Sequence, residues 1–145
     1  MATYLKIKAN PKPAIIISRA AIKTNKLVYI ARANKSHKYP WGRSRIMYIG
    51  TTKTGVSRIA GSAAAKARDL LGRWGINQLE FHVVQSSKKQ NVETWRELER
   101  SLLIVFKETF GSVPLANKQG KNVRRPAKGL PFRDGKLRNV LHQFS

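Results

Sequence analysis

Arg45-Ile46-Met47-Tyr48-Ile49-Gly50-Thr51-Thr52-Lys53-Thr54-Gly55-Val56-Ser57-Arg58 is the stretch whose reading decides the fold. Ile46 to Ile49 are β-branched, aromatic or apolar, the pattern of a strand buried on both faces. Gly50 and Gly55 permit tight backbone geometry on either side of a polar turn. Arg58 then opens an Ala-rich helix. The stretch therefore reads as strand, turn and helix start, with the strand running from Arg45 to Thr51.

Upstream, Leu27-Val28-Tyr29-Ile30-Ala31-Arg32-Ala33 is a second strand, and residues 34–44 read as a basic loop. Farther back, Pro11 and Pro13 punctuate a basic segment. There, Ala14 to Ile17 fits a short strand, and Ser18 to Ile22 fits a capped helical turn equally well. Downstream, Val56, Ile59, Ala60, Ala63, Ala64, Ala67, Leu70, Leu71 and Trp74 recur at steps of three and four. This predicts a helix to about Trp74, with the alanines packed closely on a sheet. Leu79, Phe81 and Val83 alternate as a strand does. A second helix runs from about Val92 to Phe110 on a stripe of Trp95, Leu98, Leu102, Val105 or Phe106, and Phe110, and Gly111 and Pro114 end it. From Lys118 the chain is rich in Lys, Arg, Gly and Pro. Leu137, Val140, Leu141 and Phe144 then return to helical spacing. The expected fold is α/β, a small three-stranded, mainly antiparallel sheet flanked by helices, with basic N- and C-terminal extensions.

The 145 residues fit one domain, and 41% hydrophobic content can form a core. No apolar run is long enough to span a membrane. No cleavable signal peptide is expected, because Ala14 to Ile17 is too short for its apolar region. There are no cysteines, which excludes disulfides and thiolate metal sites and fits a cytoplasmic setting. Charge is the strongest compositional signal. Lys and Arg number 29 against 7 Asp and Glu, a formal net charge of +22, and no acid precedes Asp69. Such a surface attracts polyanions, nucleic acid above all, and no basic amphipathic helix with bulky apolar residues points to a membrane surface.

Glu99 is the most informative acid. Glu93, Glu97 and Glu108 point away from the apolar stripe of the second helix, whereas Glu99 falls within it, four residues after Trp95 and three before Leu102. A carboxylate there is costly to desolvate unless it is paired or bound to a cation. An ion pair with one of the many arginines is one reading. A ligand to a divalent cation, with phosphate and water completing the shell, is the other. Arg58 is by default a solvated arginine. Its position at the end of the polar turn also suits bidentate phosphate binding. Tyr29 and Tyr48 are either sheet aromatics or a pair that orients a water beside a metal. His37, His82 and His142 lack metal-ligand spacing, and His82 reads as a sheet residue. In the 34–44 segment Lys35, His37, Lys38, Arg43 and Arg45 accompany Tyr39 and Trp41. The charges suit phosphates, and Trp41 either stacks on a base or anchors the loop. Lys53 and, in the tail, Lys118, Lys121, Arg124 and Arg125 extend this set of nucleic-acid contacts.

Taken together, these residues resemble the GIY-YIG nucleases. Leu27-Val28-Tyr29 matches the first motif and Tyr48-Ile49-Gly50 the second. Arg58 matches the helix arginine, Glu99-Arg100-Ser101-Leu102-Leu103 the Glu-x-x-Leu-(Leu/Ile) pattern, and Asn117 the asparagine after that helix. The resemblance covers residues 26–118 and leaves 1–25 as a basic extension and 119–145 as a basic arm with a short amphipathic helix. It implies a DNA endonuclease or nickase that requires Mg²⁺ or Mn²⁺, with no small-molecule cofactor and no membrane partner, working as a monomer or weak dimer. Tyr29 or Tyr48 would assist the attacking water, Arg58 would stabilise the pentavalent phosphate, Glu99 would hold the metal and Asn117 would support the site. By analogy with the family, such a nuclease belongs to a phage, a mobile element or a restriction system, or to repair and recombination. Leu27 replaces the glycine of the first motif, Ser62 stands where many members have a histidine, and the basic segment 34–44 lengthens the gap between motifs. The competing class is a non-catalytic, ribosome- or nucleoid-associated binding protein.

Overall fold

The computed structural model describes residues 4–9, 11–13, 25–118 and 122–145. The strand or helical turn considered within residues 14–22 lies outside them, as does Lys121. β1 (Leu27–Tyr39) and β2 (Gly42–Thr52) form an antiparallel hairpin whose tip is Pro40 and Trp41. Tyr29 faces Gly50 and Ala31 faces Tyr48 across the ladder. The loop expected over residues 34–44 is thus corrected to the far end of this hairpin, where His37 pairs with Ser44 and Lys38 with Arg43. An irregularity between Arg32 and His37 breaks the alternation of side chains, so no period of two is visible in the sequence. Tyr39 anchors that end. Its ring meets Phe106 edge-on at 5.2 Å, and its hydroxyl donates to the Ile46 carbonyl (2.7 Å) and accepts the Leu115 N–H (3.1 Å).

β3 (Leu79–Val84) pairs antiparallel with β1, giving the order β2-β1-β3. The sheet is antiparallel throughout. On one face lies α1 (Val56–Leu70), on the other α2 (Thr94–Phe110) and α3 (Asp134–Phe144). The main core joins Val28, Ile30 and Ile46 of the sheet to Leu98, Leu102 and Phe106 of α2 and to Leu137, Leu141 and Phe144 of α3. Residues 101–106 are all buried, since α2 is covered on its outer side as well as by the sheet. Gly111 ends α2 at φ 86°, and a Cβ there would lie 2.8 Å from Pro40 Cβ and 2.9 Å from the Trp41 ring. Glycine therefore supplies the left-handed cap and lets the hairpin tip rest on the helix end. Arg125 bonds Glu108 of α2 at 2.7 Å and Asp134 of α3 at 2.9 Å, tying the last helix to the core.

α1 departs from expectation in two ways. It ends at Leu70, because Gly72 and Gly75 adopt positive φ and a turn closes through Gly72 N–H to Ile76 O at 2.8 Å. Its alanine row is packed less closely than expected: Ile59 and Leu70 are buried, Ala63 and Ala67 are partly covered, and Ala60 and Ala64 are exposed. The rings of Tyr29, Tyr48 and Phe81 rise from this face of the sheet and hold the helix away from its backbone. Among the described residues no helix is long and apolar enough to cross a membrane.

Candidate active site

Gly50 explains the geometry around the two tyrosines. It is an extended strand residue, not part of the turn, and a Cβ on it would lie 2.5 Å from Tyr48 Cε1 and 2.9 Å from Tyr29 Cζ. The missing side chain makes room for both rings, whose centroids are 5.8 Å apart. They then diverge. Tyr29 is buried, and its hydroxyl donates to Ser62 Oγ of α1 at 2.8 Å. Tyr48 is half-buried and lines a pocket of about 480 Å³ together with Lys66, Glu99, Arg100, Asn117 and Lys118. Of the two tyrosines, Tyr48 is the one placed on the pocket.

Glu99 enters from α2. Its Oε2 accepts the Thr51 hydroxyl at 3.1 Å, and among the described residues it forms no ion pair. Desolvation raises its pKa, opposed by the Thr51 hydrogen bond and by the nearby Arg96 charge. The ion-pair reading of this carboxylate is therefore not what the structure contains. Burial is also the main cause that pushes the Tyr48 phenol well up, reinforced by the adjacent Tyr29 hydroxyl and by Glu99. At neutral pH Tyr48 is thus a protonated hydrogen-bond donor. Asn117 is engaged through both arms of its amide: its Oδ1 accepts the Ile49 N–H at 2.9 Å and its Nδ2 donates to the Ile49 carbonyl at 2.8 Å. It fixes β2 beside the pocket.

Lys66 is the residue that sequence reasoning missed. Its Nζ lies 4.1 Å from the centre of the Tyr48 ring and donates to the Ala116 carbonyl at 3.4 Å. The signal was present. Ile59, Ala63, Lys66 and Leu70 are spaced by four, three and four, so a charge interrupts the α1 stripe as Glu99 interrupts that of α2.

Arg58 is exposed on the first turn of α1 and does not line the pocket. Lys35, Lys38, Trp41 and Arg43 are exposed along the hairpin end, as are Lys53, Lys118 and Arg124 elsewhere, whereas His37 and Arg45 are partly covered. Arg43 is held on Ser36 by bonds of 3.0 and 3.1 Å. Arg125, read as a DNA contact, has its guanidinium engaged by Glu108 and Asp134. His82 is a sheet residue bonded to Glu80 at 3.0 Å. Comparison with protein-family models, with curated proteins and with solved structures found no match.

Proposed function

We propose that the chain is a divalent-metal-dependent DNA endonuclease or nickase of the GIY-YIG kind. The observation that carries this reading is Glu99: a half-buried carboxylate without an ion pair among the described residues, sharing one pocket with Tyr48 and Lys66. Among the described residues no three His, Cys, Asp or Glu side chains converge. The donor set still fits Mg²⁺ or Mn²⁺, which takes one or two protein carboxylates and otherwise water and phosphate oxygens. Among the described residues Thr51 is the single donor bonded to Glu99, so carboxylate lone pairs remain for a cation. Such an ion, when bound, would acidify a water and offset charge on the phosphate.

The chain's own groups supply the remainder. Lys66 and Lys118 face the pocket and would hold non-bridging phosphate oxygens. Tyr48, whose phenol burial keeps protonated, would donate to a phosphate oxygen, or accept the O–H of the attacking water on its phenol oxygen, and so orient it. Water oxygen would then bond to phosphorus as it releases a proton to solvent, one P–O ester bond would break, and the departing oxygen would take up a proton from solvent. Arg58, exposed beside the turn after β2, would meet the backbone as DNA docks.

Supercoiled plasmid tests the reading. Nicked or linear product should require Mg²⁺ or Mn²⁺ and cease with EDTA. With about six phosphates engaged, the log of the binding constant should fall with log salt at a slope of about −5. Binding without cleavage under either metal would favour the second reading, a non-catalytic DNA-binding protein, which the position of Arg58 outside the pocket supports. A flat salt dependence would remove the electrostatic account of the basic surface.

A further inference from the structure

Trp74 is 55% exposed although it sits at a position where the α1 stripe calls for an apolar, buried residue. It also holds φ 51°, a left-handed conformation that bulky side chains rarely adopt. The turn that imposes it is well fixed. Gly72 and Gly75 flank it at positive φ, and Ile76 N–H bonds the Arg73 carbonyl at 2.8 Å. The turn is also stitched to the hairpin. Asn34 Oδ1 accepts the N–H groups of Asn77 (3.1 Å) and Gln78 (3.2 Å), and the Lys35 ammonium end lies against Gly75. His37 meets the Trp74 ring at 6.0 Å, nearly perpendicular at 75°. A large ring is thus held outward on a braced turn, with about half of its surface in water.

Its surroundings are cationic. Lys35 abuts the turn, Arg73 precedes the ring and is exposed, and Lys38 and Arg43 pair across the hairpin just beyond His37. A peptide side chain would need an apolar groove, whereas here the indole stands among positive charges. That combination matches a strand whose phosphates meet the lysines and arginines while one base leaves its stack. We propose that Trp74 is a stacking platform for an unpaired base, so that the chain prefers DNA containing a single-stranded gap or flap over fully paired duplex. This rests on the DNA-binding part of the reading above and extends it to the form of DNA recognised.

Binding in EDTA, read by anisotropy of fluorescein-labelled DNA, separates the two. Trp74→Gly is the informative variant, because glycine adopts this backbone conformation without steric cost. Trp74→Phe keeps a ring. The expected result is that wild type binds gapped duplex more tightly than blunt duplex. Trp74→Gly should lose about tenfold or more on the gapped substrate and little on the blunt one, and Trp74→Phe should retain most of the preference. Equal affinity of wild type for both substrates, or an equal loss on both in Trp74→Gly, overturns the stacking platform and leaves the nuclease reading standing. No binding of wild type to any DNA sinks that reading itself.

Discussion

Glu99→Gln is expected to lower metal-dependent plasmid cleavage by about a hundredfold or more while leaving DNA affinity in EDTA nearly unchanged. The substitution keeps the shape and the acceptor oxygen that Thr51 bonds at 3.1 Å, and it removes the charge that would hold a cation. The same variant carries its own control for folding. Burial raises the Glu99 pKa, so the folded chain holds that proton more tightly than the unfolded chain does. This contribution to stability is fully present below the ordinary carboxylate range and is lost as pH rises through the raised folded value. Glutamine does not titrate. At neutral pH Glu99→Gln should therefore melt no lower than wild type, and any advantage should close as the solution is acidified. Loss of cleavage with an equal Tm shows that the fold is intact, and with a higher Tm it identifies a group kept for function at the expense of stability. Normal cleavage by this variant would remove Glu99 from the chemistry.

Asn117→Ala is expected to be the most destabilising single change around the pocket. Both arms of the amide are used on one residue, with the Ile49 N–H at 2.9 Å and the Ile49 carbonyl at 2.8 Å, and Asn117 is buried. Truncation leaves a strand donor and acceptor without their partners, at about 1–3 kcal/mol each, or about 2–6 kcal/mol together. Water entering from the adjoining pocket would hold the loss to the lower half of that range. Against a total stability of about 5–15 kcal/mol this is a large fraction, and urea unfolding would read it directly. Asn117→Asp tests the geometry: an acceptor would then face the Ile49 carbonyl, and the variant should weaken further as pH rises and the carboxylate ionises. A variant of unchanged stability would show that the clasp on β2 contributes nothing.

The parts of the fold that repeat at a regular period were legible in the sequence. The three strands and both long helices stand where hydrophobic spacing put them, and the last helix docks through Leu137, Leu141 and Phe144. What was hidden had local causes. The irregularity after Arg32 erased the alternation that would have marked the hairpin end. Trp74 fitted the helical spacing, yet Gly72 and Gly75 ended the helix before it. Gly50 resembled a turn glycine, although its purpose is to leave space for two rings, a tertiary reason that no local pattern carries. The site was half legible. Glu99 stood out because a charge interrupted an apolar stripe. Lys66 does the same in α1, but among so many lysines and small alanines the interruption does not stand out. Whether an exposed arginine such as Arg58 reaches a pocket is a matter of side-chain direction in three dimensions, which spacing along one helix does not encode.

The two flanking layers are held with unequal strength. α2 is buried all round over residues 101–106, whereas α1 rests on the sheet through Ile59, Leu70, the bond between Tyr29 and Ser62 and the Lys66 ammonium over Tyr48, with Ala60 and Ala64 left in water. Local opening costs least where few apolar contacts must be broken, so amide exchange should release α1 well before α2. The proposed site is divided along this boundary: its carboxylate rides on the slow-exchanging layer, and Arg58 and Lys66 ride on the fast-exchanging one. A phosphate bridging the two would link the layers, and slower exchange across residues 56–70 on adding DNA would report that link.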